Sequence, residues 1–385
     1  MNCRLATCFY LCCLSIGAYA VPPTVSNIRA SQRAGTKFVD VTYDLADPDS
    51  ALVTVQVELS SDSGVSYDLP LRSVSGAIGA GVTPGANRLV TWNAGNDWNG
   101  NFSNKCRVRI WAFDNSTPVP PPGMVYIPPG TFRMGWESAS VIGGDVTLTQ
   151  GYHMDRYETS GAPWAEVANW GTQNGYEGFG GTFVAANHPV HSMTWFAAAR
   201  WCNARSQKDG LTPCYYTDAA LTTIWKTGTV APFVKWTANG YRLPTDAEWE
   251  RAARGGLDRK VYPWGDTING SMANYSGSGD PFDGANLGTT PVGFYNGSQT
   301  PAGVNMANGY GLYDMAGNVW EWCYDWFASP PYGQTDPVGP ALGIRGRVLR
   351  GGALNDSTRS LQCANRNNTP ELTIINFGFR CVCGL

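Results

Sequence analysis

Only 15% of the 385 residues are charged and only three are histidine. The shortage of imidazoles excludes any site built on more than three of them. Lys and Arg total 27 against 30 Asp and Glu, a net charge of −3, so the composition carries no basic footprint for nucleic acid. After the first twenty residues no stretch reaches the roughly 18 apolar residues that a membrane span needs. Cys-x-x-Cys, a Gly-x-Ser-x-Gly elbow and a phosphate-binding loop are all missing, which removes the common signatures of dithiol redox, serine hydrolase and nucleotide chemistry. What the chain does contain is 43% hydrophobic residues, with 46 Gly, 15 Trp and 18 Tyr. That composition describes a packed protein with many turns and aromatic-rich loops, long enough for two cores.

The first twenty residues read as a secretory signal. Arg4 is their only charge, an apolar run follows from Leu5 to Ile16, and Ala18-Tyr19-Ala20 supplies a small-x-small cleavage site. The mature protein is therefore expected outside the cytoplasm: secreted, periplasmic or on the cell surface, with no transmembrane segment. Seven cysteines remain after cleavage, Cys106, Cys202, Cys214, Cys323, Cys363, Cys381 and Cys383. Export permits disulfides, and an odd number leaves at least one thiol unpaired or paired between chains.

Residues 21–115 read as short β-strands. Val39, Val41, Tyr43 and Leu45 alternate with polar residues, as do Val53, Val55, Val57 and Leu59. Leu89 to Trp92 and Cys106 to Ala112 supply two more strands, and the joins are rich in Gly, Asp, Asn and Ser. An all-β sandwich of immunoglobulin or fibronectin type fits that pattern. Residues 116–123, with four prolines, form a stiff linker. From Met124 to Leu385 a helix-poor, loop-rich α+β domain is expected. One short helix covers Trp195 to Arg205, with Phe196, Ala199 and Cys202 along one face. Another opens at the capping box Thr245-Asp246-Ala247-Glu248.

The second domain resembles the formylglycine-generating-enzyme, or sulfatase-modifying-factor, family. The blocks that carry the resemblance include Met124–Phe132, Tyr157-Glu158-Thr159, His188-Pro189-Val190 and Tyr241–Glu250. Further along come Tyr262–Asp266, Asn308–Trp322, Arg350-Gly351-Gly352, Ala364-Asn365-Arg366 and Gly378-Phe379-Arg380-Cys381. The resemblance implies an elaborated C-type-lectin-like fold and structural calcium. One calcium site would use Asn274, the backbone of Tyr275, and Asp280 or Asp283. The other would use Asp314, Glu321 and backbone oxygens at Gly317 and Val319. Oxygen ligands of this kind suit calcium. The resemblance also implies a disulfide between Cys202 and Cys381.

Active members of that family oxidise a sulfatase cysteine with copper held by two cysteines. The matching positions here are Asp356 and Leu361. A carboxylate and an alkyl group cannot replace two thiolates on soft copper, so formylglycine synthesis by that route is not expected. Iron is disfavoured too, because His153, His188 and His191 come without the helical domain that supplies histidines in iron-dependent relatives. Copper and iron are thus disfavoured as cofactors, and an oxidoreductase acting on protein cysteine is the second reading. The same region also resembles the variable proteins of diversity-generating retroelements, which display a mutagenised segment between fixed flanks. The candidate variable surface comprises Asn355, Asp356, Ser357, Thr358, Arg359, Ser360, Asn365, Asn367, Asn368, Thr369, Thr373, Ile374, Ile375 and Asn376. Its implied role is ligand binding, with a protein or other surface ligand as partner.

Overall fold

The computed structural model describes residues 23–48, 50–61, 69–114, 120–137, 142–283, 288–343, 345–373 and 375–384. The leader at residues 1–20, much of the linker and the candidate variable residue Ile374 lie outside them. The chain forms two compact units. The first is built on residues up to Leu59, Pro70–Phe102 and Val108 to the linker, and the second on the residues from Pro120 onward.

In the first unit the strands are β1 (Thr24–Gln32), β2 (Phe38–Ala46), β3 (Val53–Ser60), β4 (Val74–Gly76), β5 (Gly79–Val82), β6 (Gly85–Asn93) and β7 (Arg107–Asp114), with a one-turn helix α1 (Ala94–Asp97) after β6. They make a four-stranded sheet β1-β2-β6-β4 and a three-stranded sheet β5-β3-β7. The alternation of β2 and β3 has its expected result: Val41, Tyr43 and Leu45, and Val53, Val55, Val57 and Leu59, are all buried. The Asp97 carboxylate accepts from the amides of Arg72 and Ser73 and from Trp92 Nε1, which ties the turn before β4 to β6.

The second unit contains β8 (Met124–Ile127), β9 (Gly130–Glu137), β10 (Ile142–Leu148), β11 (Tyr152–Asp155), α2 (Gly161–Gln173), α3 (Trp195–Lys208), β12 (Tyr215–Tyr216), β13 (Phe233–Val234), β14 (Tyr241–Arg242), α4 (Asp246–Arg254), β15 (Trp320–Trp326), β16 (Arg347–Arg350), β17 (Asn367–Thr369), β18 (Phe377–Gly378) and β19 (Val382–Gly384). Two four-stranded sheets, β14-β19-β11-β8 and β17-β16-β15-β18, hold the core. Long irregular stretches between α4 and β15 account for the helix-poor, loop-rich character of the unit.

Helix α4 opens on the expected capping box. Thr245 Oγ1 accepts from the Glu248 amide at 3.1 Å, and Glu248 Oε2 accepts from the Thr245 amide at 2.8 Å. It closes on Gly255 in the left-handed conformation. Helix α3 departs from the single apolar face expected of it. Eleven of its residues are buried, Arg200 and Asn203 included, because the helix runs through the core with neighbours all round. Helix α2 escapes the sequence reading because Gly161, Pro163 and Gly171 break its pattern. Packing compensates: Trp164 stacks on Trp201 of α3 at 5.8 Å with ring planes 9° apart.

Candidate functional site

The polar segment after β16 is held from beneath by a buried charge network. Helical spacing places Asp246, Glu250 and Arg254 of α4 one turn apart. Arg350, fully buried at the end of β16, donates Nε to Asp246 at 2.5 Å and Nη2 to Glu250 at 2.8 Å. Its Nη1 donates to the carbonyls of Cys363 at 2.7 Å and Asn365 at 3.1 Å. One planar guanidinium thereby clamps helix α4 to the backbone of the segment, a task for which its fork of donors is suited. Arg254 closes the other side of Glu250 at 2.6 Å, and Arg366 reaches Asp246 Oδ2 at 2.6 Å. Burial pushes the Asp246 carboxyl up, but the charges of Arg350 and Arg366 outweigh it and hold it below its ordinary value. Asp325, whose Oδ2 accepts from the Asp246 amide, goes the other way: burial first, then the Asp246 charge, pushes it up to about 8.

Gly352 starts the segment at φ 76°, where a Cβ would fall 2.7 Å from Leu361 Cδ1 and 3.0 Å from the Ser360 carbonyl carbon. Only glycine lets the chain turn here so close to its own return. Leu361 is fully buried with Tyr262, Ala273 and Ala316. Cys363 and Ala364 are buried, as are all residues from Phe377 to Cys381.

Between these fixed points the candidate variable residues face outward. Asn355, Ser357, Arg359, Asn367 and Ile375 are exposed. Asp356, Thr358, Ser360, Asn365, Asn368, Thr369, Thr373 and Asn376 are half-buried, so none of the thirteen described positions enters the core. Much of their bonding runs through the backbone or within the segment. Ile375 O and Asn376 O accept from the amides of Ser192 and Trp320, Asn365 Nδ2 donates to Ser360 O, and Thr369 Oγ1 donates to Thr373 Oγ1. β17 runs antiparallel to β16 at the edge of its sheet, with Asn368 opposite Val348.

The two positions where the resemblance would place copper cysteines have other employment. Asp356 Oδ2 accepts from the Ala353 amide at 3.0 Å and Oδ1 from Ser360 Oγ at 3.4 Å, bracing the turn, while Leu361 fills the core. Among the described residues no group of three or more His, Cys, Asp or Glu converges on a point where a metal could sit. Cys363 of the segment and Cys323 of β15 are quiet thiols, since burial pushes Cys363 up to about 12 and Cys323 well above its ordinary value.

At the first set of calcium candidates, Asn274 Nδ2 donates to Gly288 O at 3.0 Å. Asp280 accepts from Ser278 Oγ, Tyr295 OH and the Phe282 amide, and Asp283 accepts from the Gly279 amide. The Tyr275 carbonyl accepts from the Ser278 amide. At the second set, Asp314 accepts from the Gly293 amide at 2.6 Å. Glu321 is engaged by Arg380, 2.7 to 2.9 Å from both its oxygens, and by Trp249 Nε1 at 2.7 Å. Gly317 lies at φ 87°, and a Cβ there would meet Asn274 O at 2.2 Å, so the two loops touch.

Glu158 is a residue that sequence reasoning missed here. It receives Asn318 Nδ2 at 2.6 Å and the Val319 amide at 3.2 Å. Burial, then the charges of Asp314 and Glu321, pushes it well up, and burial pushes Asp314 up to about 6. Buried Glu158 and Glu321 and half-buried Asp314 thus share one arginine, Arg380. The block Tyr157-Glu158-Thr159 was the available signal, but nothing local said what Glu158 would meet. Cys202 and Cys381 do meet: their sulfurs lie 3.4 Å apart as two thiols. His188 and His191 serve hydroxyl partners, Thr289 Oγ1 and Ser192 Oγ, each at 2.9 Å.

A loop-rich α+β unit built on two four-stranded sheets, whose buried arginines fasten a polar outer segment, defines a class of scaffold that sequence comparison can name. Residues 112–385 match the model of the sulfatase-modifying factor enzyme 1-like domain, and the chain belongs to that family. It is 32% identical to the formylglycine-generating enzyme of Thermomonospora curvata over 67% of this chain and 92% of that protein. The bovine (Bos taurus) formylglycine-generating enzyme is 31% identical over 69% of this chain and 75% of its own length. Among solved structures, Treponema denticola variable protein 1 superposes with a TM-score of 0.53 at 28% identity, covering 68% of this chain and 95% of the other. This member lacks the copper-binding cysteine pair.

Proposed function

We propose that this protein is an exported ligand-binding scaffold that presents residues 355–376 to a protein or other surface ligand, and that it does not oxidise cysteine. One observation carries the reading. Every described candidate variable position lies outside the core, while its flanks, Arg350 to Leu354 and Phe377 to Cys381, are buried. Substitution at the outward positions would leave the fold standing, which is what a display surface requires. The likeness to a protein named as variable, Treponema denticola variable protein 1, supports it. So does the replacement of both copper-site cysteines, since a buried leucine offers no ligand.

In this reading calcium braces the loops. The excess of buried Glu158 and Glu321 and half-buried Asp314 over Arg380 is the kind of poorly solvated charge that a divalent cation or protons must offset. The oxygens of Asp314, Gly317 and Val319 would supply ligands, with Glu321 shared between the cation and Arg380. Cys202 and Cys381 would join in an oxidising compartment. The front unit would act as an immunoglobulin-like spacer beside a lectin-like display domain.

The test is to randomise Asn355, Ser357, Arg359, Asn367 and Ile375 together, recover folded variants and select them against extracellular proteins. Folded, diverse binders are expected, together with a near-copy of codons 350–380 in the genome that differs at adenines beside a reverse transcriptase. Loss of folding in most variants would refute display. Peptide-dependent oxygen uptake with copper or iron would establish the oxidoreductase reading instead.

A further inference from the structure

A concave site lies away from the display segment. A cavity of about 510 Å³ opens between the start of β11, the loop after β13 and the N-terminus of α4, within the size range of small-ligand pockets. None of its lining residues belongs to residues 355–376.

Its wall is an aromatic platform set before any ligand arrives. Trp236 is 40% exposed, leaving much apolar indole surface open to solvent. The ring is held by the edge of Tyr324 at 5.0 Å and by the Arg242 guanidinium at 5.1 Å. Arg242 is itself paired with Glu248 through two bonds of 2.6 and 2.7 Å, so the floor presents no net charge.

At the rim stands Asp336, at φ 46°, a conformation that needs support from its surroundings. Thr149 gives that support, its amide bonding one carboxylate oxygen at 2.7 Å and its hydroxyl the other at 2.5 Å. Each oxygen keeps a lone pair for a ligand. Gln150 and Thr237, both exposed, add an amide and a hydroxyl.

We infer that this cavity binds a neutral saccharide. The C–H face of a sugar ring would lie on Trp236, while adjacent hydroxyls would donate to Asp336 and exchange hydrogen bonds with Gln150. An anion would meet Asp336 with no free cation in the lining, because Arg242 is already paired. A wholly apolar ligand would leave the rim acceptors without partners, which carries a cost.

Saturation-transfer NMR on the mature full chain tests this with methyl glucoside, methyl mannoside, N-acetylglucosamine, maltose and cellobiose. Choline and phenyl phosphate serve as charged probes. The expected result is transfer to ring protons of at least one sugar, with binding about tenfold weaker in Trp236→Ala. Gln150→Ala, at an exposed rim position, gives the same direction should Trp236→Ala fail to fold. Variants Asn355→Ala and Asn367→Ala leave sugar binding unchanged, which separates this site from the display surface. Transfer to none of the sugars, transfer undiminished in both cavity variants, or stronger transfer to a charged probe would each overturn the inference.

Discussion

Arg350→Ala is the sharpest perturbation of the scaffold. The side chain is fully buried and makes four hydrogen bonds, two to carboxylates and two to carbonyls. Alanine leaves Asp246 with Arg366 alone, leaves Glu250 with Arg254 and the Gly135 amide, and removes a donor from the backbone of Cys363 and Asn365. Breaking a buried ion pair by deleting one partner costs about 3–5 kcal/mol. At about 2–4 °C per kcal/mol for a unit of this size, the C-terminal unit is expected to melt about 6–20 °C lower. Limited proteolysis is expected to cut first within residues 355–376. Arg350→Lys recovers part of the loss, since one ammonium cannot fork to two carboxylates and two carbonyls. Replacing Asp246 by Leu in the same chain reduces the cost of Arg350→Ala, and the double-mutant cycle reads the coupling directly. A melting shift under about 3 °C, or no coupling to Asp246, would refute the claim that this arginine fastens the segment.

Asp325 gives a pH test. Its folded value, about 8, lies above the unfolded value of about 4, so the folded state holds a proton that the unfolded state releases. Its contribution to stability is therefore lost as pH rises from about 4 to about 8. Asp325→Asn keeps an acceptor for the Asp246 amide, and its melting temperature is expected to gain on the wild type across that range. A constant difference would show that Asp325 does not titrate there. Calcium at a hundred times its dissociation constant is expected to stabilise the protein by about 2.7 kcal/mol, read as a thermal shift that Asp314→Asn abolishes. Gly317→Ala forces a Cβ against Asn274 O and is expected to cost at least about 1–3 kcal/mol in denaturant titration. Asn367→Ala, on the exposed edge strand, is expected to stay within about 0.5 kcal/mol in the same titration, in contrast to Leu361→Ala at about 2–5 kcal/mol.

Short-range pattern made several elements legible. Alternation marked β2 and β3, and Thr245 with Glu248 marked the start of α4, because side-chain direction and capping depend on residues only two or three apart. The outward segment was legible from its polar run between Arg-Gly-Gly and Gly-Phe-Arg. Helix α2 was not, since its glycines and proline conceal a face that only Trp201 and Phe379 make sense of. Nor could the sequence say that Arg350 would meet Asp246 from 104 residues away, or that Glu158 would meet Asn318 across 160. Propensity and periodicity are properties of neighbours along the chain, and they determined strands such as β2 and β3, the cap of α4 and the polar surface. Which buried carboxylate faces which arginine, and where the Trp236 cavity opens, depends on how distant segments close upon one another, and that the tertiary structure alone decided.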